Sequence, residues 1–181
     1  MVGKTDAFKE ALEIRQKVLG PEHPDTAITL NNLAELYRRM GELSKAEPLL
    51  KEALEIYQKV LGPEHPLTAS GLSILGLIYQ DMGDYVKAEP LLKEALEIRQ
   101  KVLGPEHRDT ATSFNNLALL EFDLGQIQEG KRLAQQGYFA ELKAFFQILS
   151  FGSEDQLFYE GDARFGDSML TVTGFLGTFG Q

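Results

Sequence analysis

The chain has 181 residues, of which 43% are hydrophobic and 25% are charged, and its formal net charge is −9. This composition is typical of a folded domain or a short array of repeats, and it argues against a disordered chain. The negative charge disfavours nucleic acids and anionic membranes as partners, because both are bound through Lys and Arg. The absence of cysteine excludes disulfides, thiolate nucleophiles and cysteine-bound zinc.

The amino terminus gives no sign of a targeting segment. Residues 1–10 contain no apolar core of signal-peptide length. Nowhere in the chain do about 18 apolar residues, the length of a membrane-spanning helix, run together. From the sequence we therefore expect a soluble, cytoplasmic protein.

A four-residue motif returns along the chain at a fixed distance. The sequence Gly-Pro-Glu-His occupies residues 20–23, 62–65 and 104–107, which gives a period of 42 residues. A constant period between about 20 and 50 residues indicates a solenoid, in which each unit buries its apolar face against its neighbours. The predicted elements are therefore successive copies of one unit.

Within a unit, apolar residues recur at helical spacing in two stripes that are separated by a glycine such as Gly41. In the first complete unit these stripes predict helix A at about 25–39 and helix B at about 42–60, joined by a tight turn. The array is predicted to consist of a lone helix B at 5–19 and of units at 25–61, 67–103 and 109–148.

The connectors between units carry the signals that end one helix and begin the next. Gly62 suits the left-handed conformation that follows a helix end, and Pro66 suits the first position of the next helix. Pro48, within helix B, is expected to remove one backbone hydrogen bond and to bend the helix slightly. Each connector contains one histidine, and ligands a whole unit apart cannot share one metal ion. We expect these histidines to be structural and the chain to hold no metal.

The helix pair resembles the tetratricopeptide repeat, in which small residues let helices A and B approach closely. The 42-residue period, the Gly-Pro-Glu-His connector and the Ala-Glu-Pro-Leu-Leu start of helix B are most similar to the repeats of kinesin light chains and of bacterial multi-repeat proteins. The resemblance covers roughly residues 6–145. It implies an all-α solenoid of antiparallel helix pairs, wound as a right-handed superhelix, whose inner surface is lined by helices A.

The carboxyl-terminal part departs from the repeat. In the third unit Glu121 stands where the other units have Tyr, and Gly130 and Gly137 replace alanines of helix B, which we interpret as decay of the repeat. Residues 149–181 are rich in Gly and Phe and form either an irregular tail or the start of a further domain. Residues 148–156 resemble the segment that follows such repeats in bacterial proteins ending in a CHAT domain, a caspase-like protease fold. That resemblance implies that the chain is the recognition arm of a larger protein.

The units differ from one another unevenly. Between residues 42–65 and 84–107, which contain helix B, 20 of 24 positions are identical. Between residues 25–41 and 67–83, which contain helix A, 7 of 17 are identical, and these are mainly packing and turn residues. Change is therefore concentrated on the other faces of helix A, where we expect a partner to bind.

The resemblance implies that helix A presents the same positions of each unit to the inner groove. Asn can pair with the backbone of an extended peptide, because its amide carries both donors and an acceptor. We expect Asn31 and Asn115 to contact the partner, whereas Asn32 and Asn116 have the alternative of turning toward a neighbouring helix. The predicted partner-binding residues are Ile28, Asn31, Asn32, Glu35, Arg38, Ser70, Ser73, Leu77, Gln80, Thr112, Asn115, Asn116, Leu119 and Phe122.

The chemistry of these positions limits the ligand. Arg38 is the one base among them and Lys is absent, which disfavours a clamp for a peptide's terminal carboxylate and favours an uncharged or mixed segment. Leu77, Leu119 and Phe122 offer apolar pockets, and the last two have the alternative of packing under the tail.

No other motif in the sequence supports nucleotide binding or catalysis. Residues 125–131 have the spacing of a phosphate-binding loop, but Arg132 follows instead of Ser or Thr and no predicted strand precedes them. Because every histidine lies in a connector, no nucleophile has an evident base. We therefore expect no cofactor and no catalytic residue.

Three functions remain open. The variable groove favours a scaffold that binds a protein or peptide segment. The apolar ends of the array, which lack polar caps, favour a self-association module that forms homo-oligomers. An enzyme would need a pocket with a perturbed ionisable pair, and the sequence offers none.

Overall fold

The computed structural model describes residues 2–149, with the side chains of residues 3–143. The predicted tail at 149–181, and almost all of the segment that resembles the approach to a CHAT domain, lie outside the described residues. Residues up to Leu142 form one compact unit, and the packing below concerns this unit. Its described part is built from the helices α1 (Val2–Val18), α2 (Pro24–Arg39), α3 (Leu43–Val60), α4 (Pro66–Asp81), α5 (Tyr85–Leu103), α6 (Arg108–Asp123) and α7 (Ile127–Leu149).

The helices alternate between the two predicted kinds. Helices α2, α4 and α6 are helices A, and helices α1, α3, α5 and α7 are helices B. Helix α3 packs against α2, the helix A of its own unit, and against α4, the helix A of the next unit. Since the described residues contain helices and no strands, the prediction of an all-α solenoid is confirmed.

The two sides of the stack differ in width. Neighbouring helices A contact one another, α2 with α4 and α4 with α6, whereas among α1, α3 and α5 no neighbouring helices B do so. The side formed by helices A is therefore the narrower, inner side of the described stack.

Small residues let the helices of a pair approach closely. Ala46, Ala53, Ala88 and Ala95 of helices B are fully buried at equivalent positions of two units. On the opposing helix, a Cβ atom added to Gly76 would lie 2.8 Å from the side chain of Leu92 and 3.3 Å from the carbonyl oxygen of Ala88. A larger residue there would separate α4 from α5.

Each connector ends helix B and caps the next helix with its own residues. Gly62 has φ of 96°, a left-handed value that glycine adopts without strain. His65 precedes α4, and its Nδ1 accepts a hydrogen bond from the backbone N–H of Leu67 at 3.1 Å. Thr68 donates its hydroxyl hydrogen to the carbonyl oxygen of Gly62 at 2.9 Å. The histidine is thus an N-cap, which is the structural role that the repeat predicts.

The same cap occurs in all three connectors. The Nδ1 atoms of His23 and His107 accept from the N–H groups two residues further on, each at 3.1 Å. Proline occupies the first position of α2 and α4, while Arg108 begins α6. Helix α3 runs without interruption through Pro48.

Candidate functional site on the helix A face

The fourteen predicted partner-binding residues all lie on the helices A, and we call the surface they were expected to form the helix A face. Asn31 and Ser73 are buried. Four members are exposed, namely Asn32, Thr112, Leu119 and Phe122. The remaining eight are half-buried, namely Ile28, Glu35, Arg38, Ser70, Leu77, Gln80, Asn115 and Asn116.

In the first unit, the burial of the two asparagines is the reverse of what we expected. Asn31 has 9% of its surface exposed and its side-chain oxygen has no hydrogen-bond partner, whereas Asn32 is exposed. In the next pair of units, the equivalent Ser73 accepts a hydrogen bond from Asn116 at 3.2 Å. The residue at the place of Asn116 one unit earlier is Ile74, which has no donor to offer Asn31.

Asn116 turns toward the neighbouring helix A, which is one of the two orientations that the sequence left open. Its side-chain N–H groups point to Ser73 of the preceding helix A, so this amide is engaged within the protein. Asn115 also has a partner, since its Nδ2 donates to Glu141 of α7 at 3.1 Å.

Hydrogen bonds between neighbouring helices A follow one rule along the face. Arg38 donates to Asp81 at 2.8 Å, and Gln80 donates to Asp123 at 2.6 Å. In both pairs the acceptor is 43 residues further on, one residue more than the repeat period. Asp81 and Asp123 are not among the predicted partner-binding residues. They occupy the same position of helix A in successive units, where the first unit has Arg39.

The first unit is dominated by an ion-pair network. Glu35 accepts from Arg38 at 2.7 Å and from Arg39 at 2.6 Å. Burial alone raises the pKa of Glu35, but the hydrogen bonds from the two arginines outweigh it and hold this pKa below its ordinary value. The hydrogen bond to Glu35 raises the pKa of Arg38, aided by Asp81. The charge of Arg38 is therefore balanced within the face.

The third unit is apolar at the same positions. Leu119 stands where the first unit has Glu35, and Phe122 stands where it has Arg38. These two side chains are 56% and 37% exposed. The second unit is intermediate, with Leu77 and Gln80. The face thus changes from charged to apolar along the stack.

The glycines of α7 pack closely against α6. A Cβ atom added to Gly130 would lie 2.5 Å from the ring of Phe122, and one added to Gly137 would overlap the side-chain oxygen of Asn115. The equivalent helix B positions in the first unit, Ala46 and Ala53, are alanines, although Asn31 stands in that unit at the place of Asn115. The interpretation of these glycines as decay of the repeat stays a prediction.

Two further features were sought in the described residues, a metal-binding cluster and a membrane-spanning helix. Within residues 2–149, no three histidine, aspartate or glutamate side chains come together in a way that could hold a metal ion. In the same part of the chain, no helix has the length and apolarity needed to cross a membrane.

Comparison with known proteins agrees with this architecture. The family model described as tetratricopeptide repeat matches residues 6–59, 31–76 and 67–138. These matches extend over more than half of the chain, and the protein belongs to the tetratricopeptide repeat family. Repeats of this family generally mediate protein–protein interaction.

Solved structures with the same fold include kinesin light chain-like proteins. BtubC (BKLC) from P. vanneervenii superposes with a TM-score of 0.69 at 23% identity, over 83% of this chain and 58% of that one. Two structures of a Podosopora anserina putative kinesin light chain with nearly identical TPR-like repeats have TM-scores of 0.64 and 0.60 at 28% and 29% identity. They cover 78% and 77% of this chain, and 67% and 66% of their own. No match to a curated protein sequence was found.

Proposed function

We propose that this chain is a cytoplasmic scaffold that binds an extended peptide or protein segment along the helix A face and catalyses no reaction. The observation that carries the proposal is the exposure of large apolar side chains, Leu119 and Phe122, on the face where the units differ most. Leu119 and Phe122 are three residues apart on α6 and are therefore neighbours on its surface. Exposed apolar side chains that adjoin one another are typical of binding surfaces, whereas single ones are common on any protein.

The charges of the face support a particular class of ligand. Arg38 is already paired with Glu35 and Asp81, so it has no unbalanced charge to offer a terminal carboxylate. At the other end, Leu119 and Phe122 favour an apolar side chain of the ligand. The segment that fits best carries a large apolar residue toward the third unit and polar residues toward the first.

The proposal is tested with a displayed library of random linear peptides selected on the full chain. We expect the selected peptides to share a large apolar residue and to lose about tenfold or more in affinity on Leu119→Ser, since one buried apolar contact contributes more than 1 kcal/mol at a hot spot. Asn32→Ala should weaken binding less, because an exposed amide contributes a single hydrogen bond.

The matched control is Val86→Ser on α5, where the valine is 84% exposed and lies away from the helix A face. Both serine variants should keep the circular dichroism spectrum and urea midpoint of the parent. Selected peptides that bind Leu119→Ser as tightly as the parent would refute the assignment of the face.

Self-association is the second candidate, and one observation favours it. Ile14 of α1 is 55% exposed, whereas the equivalent Ile56 and Ile98 are 7% and 8% exposed. An apolar face that is covered in two units is thus open in α1. Light scattering over a range of concentrations should show association that is lost on Ile14→Asp, and a concentration-independent monomer mass would exclude this candidate.

A role as the recognition arm of a larger CHAT-type protein rests on residues outside those described, and it stays a proposal.

A further inference from the structure

The contacts between each helix B and the following helix A repeat three times in the described chain, and we call each of them a joint. The joints are α1 with α2, α3 with α4, and α5 with α6. Three positions meet at every joint, one on helix B and two on helix A. They are residues 15, 25 and 29 in the first joint, 57, 67 and 71 in the second, and 99, 109 and 113 in the third.

The first joint is polar. The guanidinium of Arg15 donates from Nη1 to the hydroxyl oxygen of Thr29 at 2.5 Å and to the backbone carbonyl oxygen of Asp25 at 2.9 Å. Thr29 itself is buried. The arginine therefore crosses from helix B to helix A and finds both of its acceptors there.

The third joint repeats this arrangement. Arg99 donates from Nη1 to the hydroxyl oxygen of Ser113 at 2.7 Å and to the carbonyl oxygen of Asp109 at 3.3 Å. Arg99 is 8% exposed, and its burial lowers the pKa of its guanidinium while the charge of Asp109 opposes this effect. A buried cation at this place depends on acceptors from the next helix, because an unpaired buried charge is costly.

The second joint is apolar at all three positions. Tyr57 replaces the arginine and is 1% exposed. Gly71 replaces the hydroxyl residue, and a Cβ atom added to it would lie 3.6 Å from the Tyr57 ring and 2.7 Å from Leu54 Cδ2. Leu67 replaces the aspartate and packs against the hydrophobic core. Leu54 therefore occupies the space that a side chain at residue 71 would need in this joint.

A polar helix B does not fit the apolar helix A. An arginine placed against Gly71 and Leu67 would be buried without the hydroxyl that accepts its hydrogen bond in the other two joints. A Cβ atom at residue 71 would meet Leu54 Cδ2 at 2.7 Å. Apart from this position, helix B of the first unit and helix B of the second are nearly the same, with 20 of 24 residues identical over 42–65 and 84–107.

We propose that the three joint positions are a register code, which lets each helix B accept the helix A that follows it in the chain and disfavours docking of an arginine-bearing helix B on α4, within one chain or between copies. Near-identical repeats are otherwise exposed to docking in the wrong order, both within one chain and between chains. Because α1 and α5 carry the arginine and α4 lacks the hydroxyl, docking of either helix on α4 would leave the arginine without that acceptor.

The first test converts the apolar joint into a polar one, in the full chain. Tyr57→Arg alone should lower the urea midpoint, since the new arginine is buried without the hydroxyl acceptor and the neighbouring carboxylate of a polar joint. Adding Leu67→Asp and Gly71→Ser should restore most of the loss. Gln58→Arg adds the same charge at the exposed neighbouring position and should leave the midpoint unchanged. A single variant as stable as the parent, or a triple variant no better than the single one, would overturn the pairing.

A second measurement covers the case in which the single variant does not fold. Ser113→Ala removes only the hydroxyl that accepts from Arg99, and it should lower the urea midpoint more than the same change at exposed Ser44. Equal midpoints for these two variants would count against the pairing.

The second test addresses register and goes beyond stability. In the triple variant all three joints are polar, so wrong docking is no longer rejected. After unfolding and refolding at high concentration, the parent should regain its initial mass distribution by light scattering. The triple variant should give additional swapped oligomers that persist on dilution. A triple variant that is stable and refolds as faithfully as the parent would overturn the register code.

Discussion

At the residue scale, two glycines of α7 lie directly against side chains of α6, Gly130 against Phe122 and Gly137 against Asn115. In an isolated helix glycine is unfavourable by about 1 kcal/mol relative to alanine, so these residues reduce the intrinsic stability of α7. A Cβ atom at either position would overlap the opposing side chain.

The close contact between Gly137 and Asn115 leads to a prediction for Gly137→Ala. The substitution should destabilise the protein by about 1–3 kcal/mol, because the added methyl group overlaps Asn115 and overpacked interfaces cost that much. It would also lie 3.2 Å from the backbone oxygen of Ala111, which cannot move aside easily. Urea unfolding followed by circular dichroism measures the change.

The matched control is Gly3→Ala in α1, where an added Cβ atom meets nothing within 4 Å. This variant should be as stable as the parent or slightly more stable. If Gly137→Ala were stabilising as well, helix propensity would dominate at both sites and the packing argument would be wrong.

Glu121 is a second residue whose surroundings differ from the repeat. It stands in place of Tyr79, whose hydroxyl donates to Glu47 of the preceding helix B at 2.9 Å. Glu121 is 6% exposed. Burial raises its pKa, and the negative charges of Glu89 and Glu129 raise it further against the opposing effect of Lys93.

A pH dependence follows from the raised pKa. The folded state holds the Glu121 proton more tightly than the unfolded state does. The resulting stabilisation is complete below the ordinary pKa of 4.5 and is lost as the pH rises through the raised value. Glu121→Gln stays neutral, so its stability relative to the parent should increase between pH 4.5 and about pH 7.

Urea unfolding at both pH values measures this difference, with Glu94→Gln at an exposed position as the control. A stability difference between parent and Glu121→Gln that does not change with pH would show that the carboxyl group titrates normally in the folded state.

At the element scale, the connector determines where each helix begins. His65, Thr68 and Gly62 form the cap of α4 through two hydrogen bonds, and both bonds recur in the other connectors. The repeated Gly-Pro-Glu-His sequence is therefore a helix-capping device. It also gives the histidine of each connector a structural role.

The cap predicts the effect of His65→Ala. Loss of the side chain that accepts from the first turn should destabilise the protein by about 1 kcal/mol, the usual cost of removing an N-cap. His65→Asn should retain most of the stability, because an asparagine oxygen accepts the same kind of bond. Thermal unfolding of the two variants tests this, and equal losses for both would contradict the capping role.

At the scale of the whole molecule, stability is expected to vary along the stack. In repeat arrays each unit contacts only its neighbours, so stability is a sum of unit and joint contributions. Helices α4 and α5 have packed helices on both sides, whereas Ile14 of α1 is 55% exposed. We therefore expect the described helices to differ in local stability.

Hydrogen exchange measured by mass spectrometry tests this expectation. Amides of α4 and α5 should exchange most slowly, and those of α1 should exchange faster, because the central helices open only when joints on both sides are lost. Uniform exchange rates over α1 to α5 would indicate that the array unfolds as a single cooperative block.

Much of the fold was determined by local features of the sequence. The 42-residue period, the apolar stripes and the glycine and proline residues of the connectors define the helices, because helix starts, helix ends and amphipathic faces depend on residues a few positions apart. The observed helices α2 (Pro24–Arg39) and α3 (Leu43–Val60) begin and end within two residues of the predicted bounds.

The tertiary structure alone decided which helix A residues are exposed and can contact a partner. Asn31 and Asn32 are neighbours in sequence and point about 100° apart around a helix, so the angle at which α2 meets α4 determines which one is buried. The joints and the fit of Gly137 to Asn115 are likewise contacts between distant parts of the chain. The side chains that pair at a polar joint are 14 residues apart, and Gly137 and Asn115 are 22 residues apart. No local pattern in the sequence encodes such a contact.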